Sequence, residues 1–524
     1  MPTLRSGAST TITLPAGCSV VFDGNSAGSV SITSGRLAGQ ALSVGVEGGK
    51  LGPYDTTQTL SLSAQRDLSY MLYGSNGQPL GMCEGMVLLG DSHLQLQYND
   101  FSFPGVLQGV SRKGYIYLAN MMTGNRVRIV RNFGISGQRT DQILARVPQL
   151  IPMVRFEGVR HVVLDGDAND IAQLGTTDSF GRTITAQTII ANIMATVDQL
   201  RAIGIDGEII LQTGFPRAQP GGPASTAMSA SAIAAHNEVN RWKRQFALTA
   251  TKVRLLDLFP VLLDYTSPTT MSRCQPNTAW VDSEGLHINS FQATLQLARR
   301  TAALFQTLFP AVPNIFGGTH YDGTNGDAPN QFWKAPAGTS GAVGTGFTGT
   351  MPTNTRILRQ SGDSTTTGTA SVITREQMCT ELGIAFDGVP GTVAKVTITA
   401  GASDGNAIID NNWNTALLAS TAIGKSLVLS GEVGARITSG GANDTLQGVY
   451  ANMVGQSTNE HVFDDLRTDK WTSCKSFFAT LQTARPWLVT SGESGFRINP
   501  CFGYQLSAGA TADIYLSQPS CPAV

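Results

Sequence analysis

The chain has 524 residues, with 36 Lys plus Arg against 37 Asp plus Glu and a formal net charge of -1. Charged residues make up only 14%, so no long-range field draws the protein to nucleic acid or to an anionic membrane surface. A chain of this length implies several cores and roughly two to four domains, and its 58 Gly with recurrent Ser/Thr punctuation at both ends favour many β-turns there.

Seven cysteines, at positions 18, 83, 274, 379, 474, 501 and 521, are scattered without CxxC pairs or zinc-like His spacing. The expectation is neither a disulfide framework nor a metal site. The N-terminus lacks an apolar h-region, and no later run is long enough to span a bilayer. The expected protein is soluble and made without a standard export signal.

From Thr10 to about Tyr73, short apolar or alternating runs such as Ser19-Val20-Val21-Phe22 and Leu60-Ser61-Leu62 lie between Gly, Asn and Ser turns. That pattern predicts a small antiparallel β-domain over residues 1–83. From Met86 the pattern changes. Compact apolar runs at Met86 to Leu89, Val127 to Val130, Val162 to Leu164, Ile209 to Leu211 and Val253 to Leu258 suit strands buried on both faces of a parallel sheet. Between and after them, Thr185 to Ile203, Ser229 to Thr249 and Ser290 to Leu308 carry helical apolar spacing. The predicted unit, residues 84–312, is an α/β sandwich. Beyond it, residues 313–524 begin Gly/Thr/Asn/Pro-rich and then give short strands such as Ala394 to Thr399, Ser426 to Ser430, Phe496 to Asn499 and Ala512 to Leu516. These predict one or two β-sandwich modules.

Leu88-Leu89-Gly90-Asp91-Ser92-His93 places a serine directly beyond a buried strand, where Gly90 is expected to accept a strained turn. Such a serine presents its Oγ at the carboxyl edge of the sheet. Three further segments follow in order: Asn132-Phe133-Gly134-Ile135-Ser136-Gly137-Gln138, Gly166-Asp167-Ala168-Asn169-Asp170, and Asp282-Ser283-Glu284-Gly285-Leu286-His287 ahead of the last helix. With these four blocks the stretch from about Glu84 to Ala311 resembles the SGNH (GDSL-like) hydrolases. The resemblance implies a flavodoxin-like three-layer α/β sandwich around a parallel sheet, here flanked by N-terminal and C-terminal β-rich domains.

It also implies serine esterase chemistry. Ser92 is the expected nucleophile and His287, with an imidazole pKa near neutrality, its general base. The resemblance gives the backbone N–H groups of Ser92 and Gly137 and the side-chain amide of Asn169 as oxyanion donors, with Gly134 as the alternative to Gly137. Two features depart from the family pattern. Gly166 and Asn169 are separated by two residues instead of one, so the loop is expected to bulge. The acid expected three residues before the histidine is Glu284, with Asp282 as a competitor and a backbone carbonyl as a third option. His93 is too near Ser92 in sequence to serve it, and is read as a helix-start residue or as part of the cleft wall. His161, His236, His320 and His461 form no metal-like cluster, and no metal or organic cofactor is implied. Trp333, Trp413, Trp471 and Trp487 are read as core residues ahead of sugar-stacking ones.

The order of a β-domain, an esterase unit and a Gly/Thr-rich β-region resembles phage tail spikes or fibres. That resemblance implies removal of O-acetyl or other short acyl groups from a bacterial surface polysaccharide, with a homotrimer and other virion tail proteins as partners. Such a protein is made in the host cytoplasm and acts outside as part of the virion tail; secretion is the alternative. A bacterial carbohydrate or lipid esterase is a second reading, and a non-catalytic carbohydrate-binding protein a third.

Overall fold

A computed structural model describes residues 84–99 and 108–310 continuously, the strands within residues 3–80, and the strands with parts of their connections within residues 319–520. The chain divides into two compact units, Met1–Glu84 and Gly85–Val524.

In the first unit, Ser9–Leu14, Gln58–Ala64, Gly28–Ser34 and Ala41–Val44 form one antiparallel sheet. Thr3–Leu4, Leu68–Tyr73, Ser19–Phe22 and Gly49–Leu51 form a second, with Pro79–Leu80 paired to Leu68–Tyr73.

The second unit is built around five parallel strands in the order Arg128–Gly134, Gly85–Gly90, Val159–Leu164, Ile209–Gln212, Val253–Leu256. The first strand in sequence is thus second in space, the order of a flavodoxin-like sheet, and the chain reverses its winding beside it. Strand side chains alternate between faces. Met86 and Leu88 pack with Val163 and Ile210 on one side, and Val87 and Leu89 with Val162, Leu164, Ile209 and Leu211 on the other. Both faces are therefore core, which is why these segments read as unbroken apolar runs.

Helices cover each face. Ala186–Ala202 and Ala230–Thr249 bury Ile189, Ile193, Val197, Leu200 and Val239 on the second face. Tyr115–Met122 and Phe291–Leu308 bury Ile116, Leu118, Leu295, Leu297 and Phe305 on the first. The caps lie where the sequence pattern places the helix starts: Thr185, Ser229 and Ser290 accept from the N–H three residues on. This is the expected three-layer SGNH α/β fold.

The C-terminal region adds two larger sheets. One, of six strands, runs Phe347–Gly349, Thr367–Thr374, Thr392–Thr399, Thr511–Ser520, Ser430–Ser439, Ser476–Gln482. The other has nine strands, including Leu446–Val454, Arg497–Leu506, Gly405–Asn411 and Thr355–Arg359. Val396, Val433 and Ile514 of the first share a core with Ile409, Phe502 and Tyr504 of the second, the packing of a sandwich. The expected boundary at 312/313 is not a break in packing. Tyr98–Asn99 and Gln108–Val110, from the α/β segment, form one end of the nine-stranded sheet, where Gln108–Val110 pairs in parallel with Asn459–Val462. The same apolar cluster runs from Phe291–Leu308 into both C-terminal sheets.

Gly90 is required by crowding and not by a positive φ, which corrects the expected strained backbone. A Cβ there would lie 2.7 Å from the Asp165 carbonyl oxygen and 2.9 Å from Leu94 Cδ1, so neighbouring strand ends would have to separate. Gly90→Ala is expected to cost about 1 to 3 kcal/mol, seen by calorimetry as a lowered Tm of the Gly85–Val524 unit. An unchanged Tm would contradict the crowding argument.

Candidate active site

The strand Gly85–Gly90 runs into Asp91 (φ -103°, ψ -148°), whose side chain caps the short helix Ser92–Gln95. One Asp91 oxygen accepts from the His93 N–H at 3.0 Å. Ser92 is the first helical residue, so its own N–H has no acceptor within the helix. The residue is 6% exposed, a hydroxyl at the floor of the site.

His287 reaches Ser92 from the other end of the domain. Its Nε2 lies 2.8 Å from Ser92 Oγ, and its Nδ1 lies 3.1 Å from Asp282 Oδ2. The second Asp282 oxygen accepts from the Leu286 N–H at 3.0 Å. These contacts require His287 Nδ1 to carry the proton and Nε2 to accept from the serine, as a general base needs.

The placement of Asp282 corrects the expectation of Glu284. Residues 281–288 form a tight antiparallel hairpin: Val281 bridges Ile288, the Asp282 N–H donates to the His287 carbonyl at 2.8 Å, and the Gly285 N–H donates to the Asp282 carbonyl at 2.9 Å. Directly opposed residues project to the same face of such a ladder, so Asp282 stands beside His287. Glu284 sits at the exposed tip of the turn, next to Gly285 with φ +65°. Spacing of three would suit a helical turn, and this segment is a β-turn.

Burial lowers the His287 pKa from 6.5, and the nearby His93 lowers it further against the raising effect of Asp282. Asp282 is held below the usual carboxylate range, because bonds from Leu286 and His287 outweigh its burial. His287 is therefore neutral at neutral pH.

Gly137 and Asn169 come from the loops beyond the two neighbouring strands. Gly137 is exposed with φ +78°, and a Cβ on it would meet open space. Among the described residues its N–H has no protein acceptor. Gly134, by contrast, is buried against the backbone of Leu94 and Gln95 and serves packing. Asn169 lies in the helix Ala168–Ala172; its amide donates to the Gln138 carbonyl at 2.9 Å and stands 3.5 Å from Asp91 Oδ2. Gly166 adopts φ +132°, and Asp167 turns inward to an ion pair with buried Lys243 at 2.9 Å.

His93 is a helix-start residue, the second of Ser92–Gln95, but its ring turns inward. It is buried, with Nδ1 3.4 Å from Asp91 Oδ1 and 3.5 Å from Asp165 Oδ2, and Nε2 3.2 Å from the Leu286 carbonyl. Among the described residues, Asp91, His93 and Asp165 are the group whose donor atoms cluster closely enough for a metal ion. His161 and His236 are buried elsewhere: His161 Nδ1 accepts from the Glu208 N–H at 2.8 Å, and burial pushes His236 down to about 4. The side chains of His320, His461 and Trp487, and Trp333, Trp413 and Trp471 entirely, lie outside the described residues. Cys274, Cys379 and Cys501 are buried, and the Cys274 thiol donates to Asn237 Oδ1 at 3.3 Å.

Several site-forming residues carry no motif signal. Arg146 donates to the carbonyls of Phe133 (2.7 Å) and Gly90 (2.9 Å), tying two strand ends together behind Ser92. Asp170 accepts from the Thr140 N–H (2.9 Å) and hydroxyl (2.7 Å), joining the Asn169 helix to the helix after Gly137; burial raises its pKa to about 7. Only the Asp beside Asn169 in the third block hinted at such a role.

Residues 88–332 match the GDSL-like lipase/acylhydrolase family. No curated protein matches the chain. Similar solved structures include a family two carbohydrate esterase from Clostridium thermocellum in complex with cellohexaose, at 14% identity over 58% of this chain and 93% of that one, with a TM-score of 0.28. A carbohydrate acetylesterase from Sinorhizobium meliloti shares 15% identity over 43% of this chain and all (100%) of its own, with a TM-score of 0.29. An acetyl-xylooligosaccharide esterase from Geobacillus Stearmophilus shares 18% identity over 43% of this chain and 94% of its own, with a TM-score of 0.31. The matched segment is a GDSL-like lipase/acylhydrolase domain, and the chain is a carboxylic ester hydrolase.

Two outcomes follow from the hairpin. Asp282→Asn is expected to lower kcat by roughly 10³- to 10⁴-fold, since the neutral amide cannot stabilise the imidazolium. Glu284→Gln should stay within about twofold, as exposed substitutions usually do; the reverse order in steady-state assays would refute the assignment. Since the base works only when neutral and its pKa is lowered, kcat/KM should hold as pH falls through 6.5 and decline only below it. A decline beginning above pH 6.5 would contradict the lowered pKa.

Proposed function

We propose that the protein is a serine esterase that removes O-acetyl or other short acyl groups from a bacterial surface polysaccharide. The observation that carries this reading is the continuous relay from Ser92 Oγ through His287 to Asp282. In the first half-reaction Ser92 Oγ bonds to the ester carbonyl carbon while its proton passes to His287 Nε2. The bond between the acyl carbon and the sugar oxygen then breaks, and the leaving sugar oxygen takes that proton. In the second half-reaction a water gives its proton to His287 as its oxygen bonds to the acyl carbon; the bond from that carbon to Ser92 Oγ then breaks, Oγ takes the proton back from His287, and the released carboxylic acid ionises.

The negative oxygen of each tetrahedral intermediate is met by the N–H groups of Ser92 and Gly137 and by the Asn169 amide. The Ser92 and Gly137 donors are free for this task. Asn169 exchanges its long 3.5 Å contact with Asp91 for the oxyanion while keeping the Gln138 bond.

A short acyl group suits the surface. A long acyl chain needs an extended apolar groove, whereas the exposed large apolar side chains among the described residues lie far apart in sequence, with Ile135 the one within the Gly137 loop. The low charge and the β-rich regions before and after the esterase unit support a polysaccharide partner and a place in a phage tail spike, as a homotrimer acting outside the cell. The intact relay favours an enzyme over a pure carbohydrate-binding protein.

Incubation with O-acetylated and chemically de-acetylated capsular polysaccharides should release acetate only from the former. Release from p-nitrophenyl acetate but from no polysaccharide would remove the substrate assignment and leave the esterase. Ser92→Ala should abolish both activities with an unchanged circular dichroism spectrum, and near-wild-type turnover would exclude the serine mechanism. Asn169→Ala should lower kcat by about 10²- to 10³-fold, whereas a change confined to KM would make Asn169 a substrate-binding residue.

A further inference from the structure

His93 sits directly beneath the reacting groups yet takes no part in the relay. Its Nε2 faces the Leu286 carbonyl at 3.2 Å, an atom that only accepts. Its Nδ1 faces a carboxylate oxygen of Asp91 at 3.4 Å and one of Asp165 at 3.5 Å, both buried. Asp165 Oδ2 has no other hydrogen-bonded partner, and since burial and the Asp91 charge raise the Asp165 pKa while Asp91 is held low, Asp91 is the firmer anion beside the ring. A ring that donates on both sides is an imidazolium. Its plane packs against Phe215, with centroids 4.7 Å apart, and its centre lies 5.7 Å from the centre of the His287 ring.

We propose that His93 is a positioning residue, held as a buried imidazolium by Asp91 and Asp165, that pins the His287 hairpin through Leu286 and opposes protonation of His287. This rests on His287 being the general base. Leu286 lies between the hairpin's acid and its base, with its N–H on Asp282 and its carbonyl on His93. One side chain thereby links the floor of the nucleophile turn to the strand that carries the base. The charge works in the same direction: a cation beside His287 favours the neutral ring that accepts the serine proton.

The surrounding groups fit that role. His287 is faced by Asp282 from its own hairpin, by His93 and Asp91 from the nucleophile turn and, more remotely, by Lys113 from the segment before Tyr115–Met122. His93 is faced by Asp91 and Asp165. Behind these, Arg146 and Arg217 act on Asp91 and Lys243 on Asp165, and the Tyr115 hydroxyl is turned to Gln212 at 2.5 Å. Burial costs His93 its charge in part, but the two carboxylates outweigh that cost and hold its pKa well above 6.5. A metal ion on the same three residues would instead require a bare Nδ1.

The test is to label the histidine rings with ¹⁵N in the full chain and follow them by NMR from pH 5 to 9, alongside pH profiles of the wild type and His93→Gln. The expected result is a His93 ring protonated on both nitrogens throughout. In His93→Gln, whose amide still donates to Leu286 without a charge, the His287 titration and the acid limb of kcat/KM should move up together by about one pH unit. A purely structural role would lower activity at every pH and leave the limb in place, and that outcome overturns the proposal. So does a wild-type His93 with one unprotonated nitrogen, which is read even if the variant fails to fold. Stoichiometric zinc bound by EDTA-treated protein, with loss of the His93 Nδ1 proton, overturns it as well. The NMR titration is independent of turnover, so failure of the Ser92 reading would appear separately as activity retained in Ser92→Ala.

Discussion

The backbone bond from the Asp282 N–H to the His287 carbonyl closes a hairpin of eight residues (281–288), and the order of the site follows from it. A one-residue slip in this register would turn Asp282 away from the imidazole and place a different residue opposite His287. The turn needs Gly285 for two reasons. Its φ of +65° is unfavourable for other residues, and a Cβ there would lie 2.6 Å from Ala218 Cβ. The Ala218 N–H donates to the Gly285 carbonyl at 3.0 Å, and the Ala224 N–H to the Ser283 carbonyl at 2.8 Å, so the hairpin is seated on the loop that follows Ile209–Gln212. The acid and base of the relay are held by strand-like pairing and a neighbouring loop, not by the helix they precede.

The nucleophile is held by a different constraint, the convergence of strand ends. Gly90, at the end of the second strand of the sheet, leaves no room for a Cβ beside the Asp165 carbonyl, and Arg146 bonds to its carbonyl oxygen. Such crowding leaves Ser92 little freedom, and freedom lost in folding need not be lost on the way to the transition state. Asp91 connects the two halves: it caps the Ser92 helix, faces His93, and stands near the Asn169 amide.

Much of the fold was legible because both faces of the parallel sheet are covered. Strands buried on both faces must be apolar throughout, so Met86 to Leu89 and Ile209 to Leu211 announce themselves without alternation. Ser92, Gly137, Asn169 and His287 were read as blocks, and the structure brings His287 Nε2 to 2.8 Å from Ser92 Oγ and the Asn169 amide to 3.5 Å from Asp91 Oδ2. Glu284 was misplaced because sequence spacing measures reach along the chain, whereas register in a hairpin depends on where the turn closes. His93 was undervalued for a similar reason. Adjacent side chains point in different directions, and here that direction carries the His93 ring inward to Asp165, 72 positions away in sequence. Nor was the joint core of the esterase segment and the C-terminal sheets legible, since the pairing of Gln108–Val110 with Asn459–Val462 spans a sequence distance that no local pattern reports.

The central claim is that Ser92 is activated by His287 to form an acyl-enzyme. Reaction with a small fluorophosphonate, which forms a stable adduct only with an activated serine, followed by peptide mass mapping, tests it most directly. The account predicts one adduct per chain, on the peptide containing Ser92, with labelling slowed by orders of magnitude in His287→Gln. Labelling of another serine, or hydrolysis that persists in a protein whose Ser92 is fully modified, would contradict it.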